Sequence, residues 1–299
     1  MATSTPQNTL PSPWHAGEVE LQRSVGSHEK MAAVGPKVIR AYMPEQHRSF
    51  FEGLPFIVLG SVDSAGRPWA TLRAGAPGFV RSPDDTHLEI DAAGDAEDPA
   101  SLEVGAPIGM LGIQPHTRRR NRANGAVQEV AGDGLLVHVT QSFGNCPRFI
   151  TRREAIFEPV TSQTPEAERF EELDADARAM IEAADTFFVA SYARHEDGSV
   201  DVDVSHRGGP AGFVGIDDSG TLVIPDYAGN NFFNTLGNFV RHPVAGLLFV
   251  DFERGDLLQL TGRATLHLAE SSEDAARHWR VVPASVVRRR GVVPLRWRT

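Results

Sequence analysis

The sequence predicts a mainly β protein built from two copies of one unit, packed as two β-barrels. Three observations carry this. First, "GRPWATLRAGAPGFV" (66–80) returns in altered form as "DVDVSHRGGPAGFV" (201–214). Pairing residues 71–90 with 205–224 at a constant offset of 134 gives 8 identities in 20 positions, including Arg73/Arg207, Gly78/Gly212 and Phe79/Phe213. After a three-residue insertion the register resumes at an offset of 137, with Gly109/Gly246, Leu111/Leu248 and Gly125/Gly262. Second, each copy opens on an apolar strand, an Asp/Gly turn and a second strand, "FIVLGSVDSAGRPWATL" and "TFFVASYARHEDGSVDVDVSH"; that is hairpin chemistry. Third, "LLQLTGRATLHL" alternates with period two. Leu258, Leu260, Ala264, Leu266 and Leu268 fall on one face, and Gln259, Thr261, Arg263, Thr265 and His267 on the other. Two copies are too few for a solenoid, so two packed barrels are expected.

In chain order, the polar, Pro/Ser/Thr-rich start reads as a loose or wrapping tail. "PEQHRSFFEGLP" (44–55) has helical character, and 106–113 and 134–143 read as strands. The second copy opens with a helix over 164–185, capped by Thr164 with Pro165 in its first turn. Phe170, Leu173, Ala177, Met180, Ile181 and Ala184 share one face of it. Strands then follow in "TLVIPD" and "VAGLLFVDF". The expected division is a tail over 1–40, a first barrel over 41–158, and a second barrel over 159–299 with an N-terminal helix and a C-terminal tail.

Composition narrows the function classes. An apolar fraction of 41% and a charged fraction of 23% are those of a soluble globular protein. A formal charge of −10 argues against nucleic-acid or anionic-membrane partners. The single Cys146 excludes an intrachain disulfide and is expected as a buried structural thiol. No apolar run reaches membrane-spanning length, and the start lacks the pattern of a secretory signal, so a cytoplasmic location is expected. His15, His28 and His47 fit no metal-ligand spacing, and no metal is expected. Neither a Walker loop nor a Gly-x-Gly-x-x-Gly turn is present.

Against that acidic background, "TRRRNRANGAV" places Arg118, Arg120, Arg122 and Asn124 on the strand face equivalent to the polar face of 257–268. Clustered guanidinium groups repel unless an anion or carboxylates lie opposite, and both readings are open at this level. Asn230, Asn231, Asn234, Thr235 and Asn238 supply donors in a Gly-containing turn leading into a short helix. Ser205 and Arg207 share a strand face before a Gly-Gly-Pro turn, and Arg73 holds the position of Arg207 in the first copy.

Together "SHRGGPAGFV", "LVIPDYAGNNFFNTLGN", "HPVAGLLFVDF" and "LLQLTGRA", with "TRRRNRANG" and "QSFGNCPRFITRR" in the first half, resemble the pyridoxamine 5′-phosphate oxidase-like FMN-binding split β-barrels. The likeness is to the flavin-nucleotide-binding branch, where two barrels can share one chain. The resemblance implies two tandem six-stranded antiparallel Greek-key barrels forming a pseudo-dimer, with FMN at their junction. It implies phosphate contacts from Ser205, His206 and Arg207, turn and helix contacts from Asn230, Asn234 and Thr235, and contacts from Gln259, Thr261 and Arg263. Relatives often carry an arginine near the turn, where this chain has Tyr227, Phe232 and Phe233; Arg120 and Arg122 are the expected substitutes. The implied function is an FMN-dependent oxidoreductase passing hydride or electrons from a small-molecule donor to oxygen or another acceptor. The alternative is a non-catalytic flavin, haem or deazaflavin carrier, or a scaffold. A homodimer and an electron-transfer partner are further expectations.

Overall fold

The computed structural model describes residues 12–92, 94–100, 102–132, 134–159, 166–268 and 277–298. Three helices come first, α1 (Ala16–Ser24), α2 (His28–Val38) and α3 (Glu45–Glu52). The first half then runs β1 (Phe56–Val62), β2 (Pro68–Ala74), β3 (Val80–Arg81), β4 (His87–Asp91), β5 (Pro107–Gln114), β6 (Arg119–Ala131), β7 (Gly134–Gly144) and β8 (Glu154–Phe157). The second half runs β9 (Glu168–Phe170), α4 (Ala175–Ala183), β10 (Thr186–Arg194), β11 (Val200–Gly208), β12 (Gly215–Ile216) and β13 (Leu222–Pro225). It continues through α5 (Asn234–Arg241), β14 (Val244–Val250), β15 (Leu257–His267), β16 (His278–Arg289) and β17 (Leu295–Arg298).

The duplication is visible in the topology. The first antiparallel sheet has the order β2-β1-β5-β6-β7-β4-β3, and the second has β11-β10-β14-β15-β16-β13-β12. Each strand of one occupies the place of its repeat partner in the other. Among the described residues each of these paths therefore has six longer strands and ends on a two-residue strand, with β8, β9 and β17 lying off the paths. Both sheets are antiparallel, as hairpin connections require.

Period two explains how one strand serves two cores. In β1, Ile57 and Leu59 enter a cluster with Phe51, Leu88, Met110 and Val137, the interior of the first barrel. Phe56 and Val58 point the opposite way, into a cluster shared with Phe188, Ala190, Val204 and Leu248 of the second half. β10 repeats the pattern, with Phe187 and Val189 inside its own barrel. That is why both opening strands read as unbroken apolar runs rather than alternating ones. The two halves touch at equivalent glycines. A Cβ on Gly109 would lie 2.8 Å from the Val202 carbonyl oxygen, and one on Gly246 would strike the Pro68 carbonyl. β17 pairs with β8, so the end of the described chain closes back onto the first half.

One expectation is corrected here and another narrowed. The helix of the second copy begins at Asp174, whose carboxylate accepts the Ala177 amide at 2.8 Å. Residues 168–170 pair with β16 as strand instead, since Arg288 and Arg290 hold Glu168 there; Thr164 and Pro165 lie outside the described residues. The expected inner face survives, because Ala177 and Ile181 are buried and Phe170, Met180 and Ala184 pack beside them. From residue 12 the N-terminal segment takes the wrapping rather than the loose form of the expected tail, and contains two helices. A Cβ on Gly17 would overlap the Gly237 carbonyl, so α1 crosses α5 at a glycine pair that brings the backbones together. Trp14, Met31, Phe143 and Phe232 form a small cluster beneath them. No helix among the described residues is long and apolar enough to cross a membrane.

Candidate anion-binding cleft between the halves

The repeat places β6 of the first half against β11 of the second, and a cleft opens between them. It is lined by Arg120, Arg122, Cys146 and Arg148 from the first half, and by Ser205, His206, Arg207, Asn230, Asn234, Thr235 and Arg277 from the second. Its cavity volume is about 130 Å³. Pockets for whole drug-sized ligands run to roughly 300–1,000 Å³, so the cavity is nearer the size of a small anion. At its mouth Phe149 and Tyr227, one from each half, stack with ring centroids 4.9 Å apart.

The floor is strongly cationic. Arg122 donates to Asp203 at 3.0 Å and to the Ser205 hydroxyl at 2.5 Å. Asp203 also accepts from Asn124 and Asn238, so that carboxylate is fully engaged. Arg207 and Arg277 share Asp226, at 3.3 and 3.2 Å. Arg120 differs from all of these. Its guanidinium donates to the Cys146 carbonyl at 2.8 Å and to His206 Nδ1 at 2.9 Å, and no carboxylate among the described residues lies within ion-pair distance. Burial, with Arg122 and Arg207 nearby, pushes its pKa down to about 10. His206 is held well below its ordinary value by burial and by Arg120 and Arg207, so at neutral pH it is uncharged and accepts from Arg120. The Nε atoms of Arg122 and Arg207 are buried without a hydrogen-bond partner. Buried donors and charge in this state are costly unless something accepts them.

The start of α5 completes the wall. Phe233, in the left-handed region at φ 62°, occupies its N-cap position with no side-chain cap, which leaves the first amides of the helix free to bind an anion. Thr235 donates to Ser205 at 2.9 Å. Asn230 closes its own turn by accepting the Phe232 amide, and Asn234 donates to Glu18 at 2.5 Å. Glu18 is buried at 3% exposure and was missed at the sequence level. Locally it only completes a capping box by accepting the His15 amide at 3.0 Å, while its other partner, Asn234, lies more than two hundred residues away.

Burial raises the Glu18 carboxyl to about 8, with Asp203 adding to the shift. A carboxyl raised in the folded state holds its proton while the unfolded chain releases it, so stability falls as pH rises from about 4.5 to about 8. Glu18→Gln, which keeps an acceptor for Asn234 without the charge, is expected to flatten the decline of melting temperature across that window. An equal decline in both proteins would refute the assignment.

Of the eleven expected site residues, eight line this cleft. Gln259, Thr261 and Arg263 do not. Arg263 is exposed, beyond a register shift between Thr261 and Gly262 that follows the buried part of β15. Gln259 and Thr261 are buried, and Gln259 donates to the Ala70 carbonyl of the first half. Arg118 is also displaced from its expected face: it sits at φ 55° in the turn before β6 and is exposed. Phe232 leaves the cleft for the cluster with Trp14, while Phe233 stays in the lining under Arg277. Arg277 and Arg148 thus stand where a turn arginine was thought lost. Cys146 is half-buried in the lining rather than in a core.

Residues 173–289 match the family model of pyridoxamine 5′-phosphate oxidase. Over that span the second half of the chain is similar to the pyridoxamine 5′-phosphate oxidase family. The matched span runs from just before α4 through β16, so it holds the Ser205–Arg207 strand, α5 and β15. No curated protein sequence matches the chain significantly. Among solved structures, a FAD-binding protein from Mesorhizobium loti has 13% identity and a TM-score of 0.28, covering 42% of this chain and 97% of its own. A FAD-binding protein from Mycobacterium smegmatis has 14% identity and a TM-score of 0.24, covering 40% and 96%. The haem storage protein HutZ from Vibrio cholerae has 11% identity and a TM-score of 0.27, covering 39% and 95%.

Proposed function

We propose that the cleft binds FMN through its phosphate and that the protein is a flavin-dependent oxidoreductase acting on a small molecule. One observation carries the reading: Arg120 is a half-buried guanidinium with no carboxylate partner among the described residues, set beside Arg122 and Arg207 in a protein of formal charge −10. A dianionic phosphate would accept from Arg120, Arg207 and the uncapped start of α5, and would relieve the mutual repulsion of the arginines. The Phe149–Tyr227 pair offers an aromatic surface to a flat ring at the mouth. When bound, the flavin supplies the hydride and electron transfer; the residues around it bind, orient and exclude water. This reading treats 41–158 and 159–299 as two barrels, each contributing one wall of the site.

A second reading, a carrier that holds the ligand without turnover, is favoured by the lining itself. Asp226 is committed to two arginines and His206 to Arg120, which leaves no free carboxylate or imidazole to act as acid or base. The two readings part on whether bound flavin is reduced by a donor such as NADPH and reoxidised over many cycles.

Phosphate recognition itself is tested by comparing FMN with riboflavin, which lacks the phosphate, in a fluorescence-quenching titration. Binding of FMN is expected to be at least about 100-fold tighter, or about 2.8 kcal/mol, and to weaken with salt. Equal affinities would refute the phosphate assignment.

A further inference from the structure

The repeat should generate a second cleft, made by β2 of the first half and β15 of the second. We propose that this second anion site is present but permanently filled by the chain's own carboxylate, Asp98, so that the protein takes one phosphate-bearing ligand per chain rather than two.

The correspondence can be followed residue by residue. At the offset of 134, Thr71 holds the place of Ser205 and Arg73 that of Arg207; at 137, Gln259 holds the place of Arg122 and Leu257 that of Arg120. The same offset of 137 sets Asp98 at the position of Thr235. Contacts repeat along with positions. Thr235 bonds Ser205 in the open cleft, and Asp98 accepts from Thr71 in the second. A hydroxyl in one copy has become a carboxylate in the other.

That carboxylate takes the contacts an anion would take. Asp98 accepts from Arg73 at 2.7 Å and from Gln259 at 3.1 Å, and Arg289 lies 3.4 Å away. Its side chain is 1% exposed. Arg289 enters from β16 and also pairs with Asp95 at 2.9 Å. Two guanidinium groups therefore meet two carboxylates, whereas the open cleft keeps Arg120 unmatched. Although burial opposes it, Arg289 and Arg73 hold the Asp98 carboxyl below its ordinary value, so it stays charged at neutral pH. Outside the plug a hollow remains, lined in part by Leu72, Phe157, Leu257 and Val292. Arg73, Asp95 and Arg289 also line it, and Leu257 stands there where the open cleft has Arg120.

The stoichiometric part of this inference rests on the proposed flavin reading; the plug does not, and the test separates them. In the first arm, wild-type protein is titrated with FMN beside Arg73→Ala and Arg120→Ala. The expected result is one FMN per chain, unchanged within about twofold by Arg73→Ala, where about 1.4 kcal/mol corresponds to tenfold, and lost with Arg120→Ala. Two FMN per chain, or loss of FMN with Arg73→Ala, would overturn the inference while sparing the flavin reading. No FMN bound in any protein would overturn the flavin reading alone. The second arm uses inorganic phosphate and thermal unfolding, without flavin. Asp98→Asn empties the plug while preserving its shape, and millimolar phosphate should then raise its melting temperature more than that of wild type. Adding Arg73→Ala to Asp98→Asn should abolish the extra shift. An equal shift in wild type and Asp98→Asn would overturn the plug. Should Asp98→Asn fail to fold, the Arg73→Ala titration decides.

Discussion

Replacing Arg120 with methionine is expected to weaken FMN binding about 100-fold, close to 2.8 kcal/mol, while making the ligand-free protein more stable. Both effects follow from one feature. Arg120 is half-buried, sits beside two other guanidinium groups, and has no carboxylate among the described residues to offset its charge. A buried cation without a counter-ion costs folding free energy, and that cost is recovered only when an anion binds. Methionine fills similar volume without charge, so the ligand-free protein should gain on the order of 1–3 kcal/mol, after losing the bonds to Cys146 and His206. Thermal unfolding and FMN titration of the same two proteins check the prediction. A variant that binds weakly and is also less stable would assign Arg120 a structural role instead.

The second large effect concerns the contact that makes the two halves one molecule. Gly246→Val is expected to cost about 4 kcal/mol or more and to abolish ligand binding with it. The Gly246 backbone packs directly on the Pro68 carbonyl of the first half. A side chain there would meet main chain, not a yielding side chain, so either β14 or β2 must move. Gly109 is its repeat partner, and a Cβ there would lie 2.8–2.9 Å from the Val202 and Asp203 backbone. Gly109→Val should therefore be similarly damaging. Denaturant unfolding checks both. Mild effects in both variants would mean that the halves can separate without loss of either core.

The duplicated architecture was readable because repeats leave identities in register, and the identities fall where backbone geometry or buried charge restricts the choice. Arg73/Arg207 and Gly109/Gly246 are of this kind. The clustering of Arg120 and Arg122 against an acidic whole was also readable. What could not be read was which charges meet. Asp203 reaches Arg122 across 81 positions and Glu18 reaches Asn234 across 216, and no local pattern reports such pairs. The placement of Gln259 shows a different kind of failure. Repeat symmetry carries β6 and β15 to opposite sites: β6 completes the cleft of the second half, and β15 completes that of the first. Residues drawn from both copies cannot all belong to one pocket. The helix start failed for a local reason, because Glu168 finds two arginines of β16 and is worth more as strand than as a helical first turn.

The most direct test of the account is an absorption spectrum between the near ultraviolet and the visible, recorded after mixing the purified protein with excess FMN and desalting. Retention of one flavin per chain, lost on replacing Arg120 or Arg207, is the predicted result. A colourless protein, or one whose retained flavin is indifferent to both arginines, would contradict the assignment of the cleft as a flavin phosphate site.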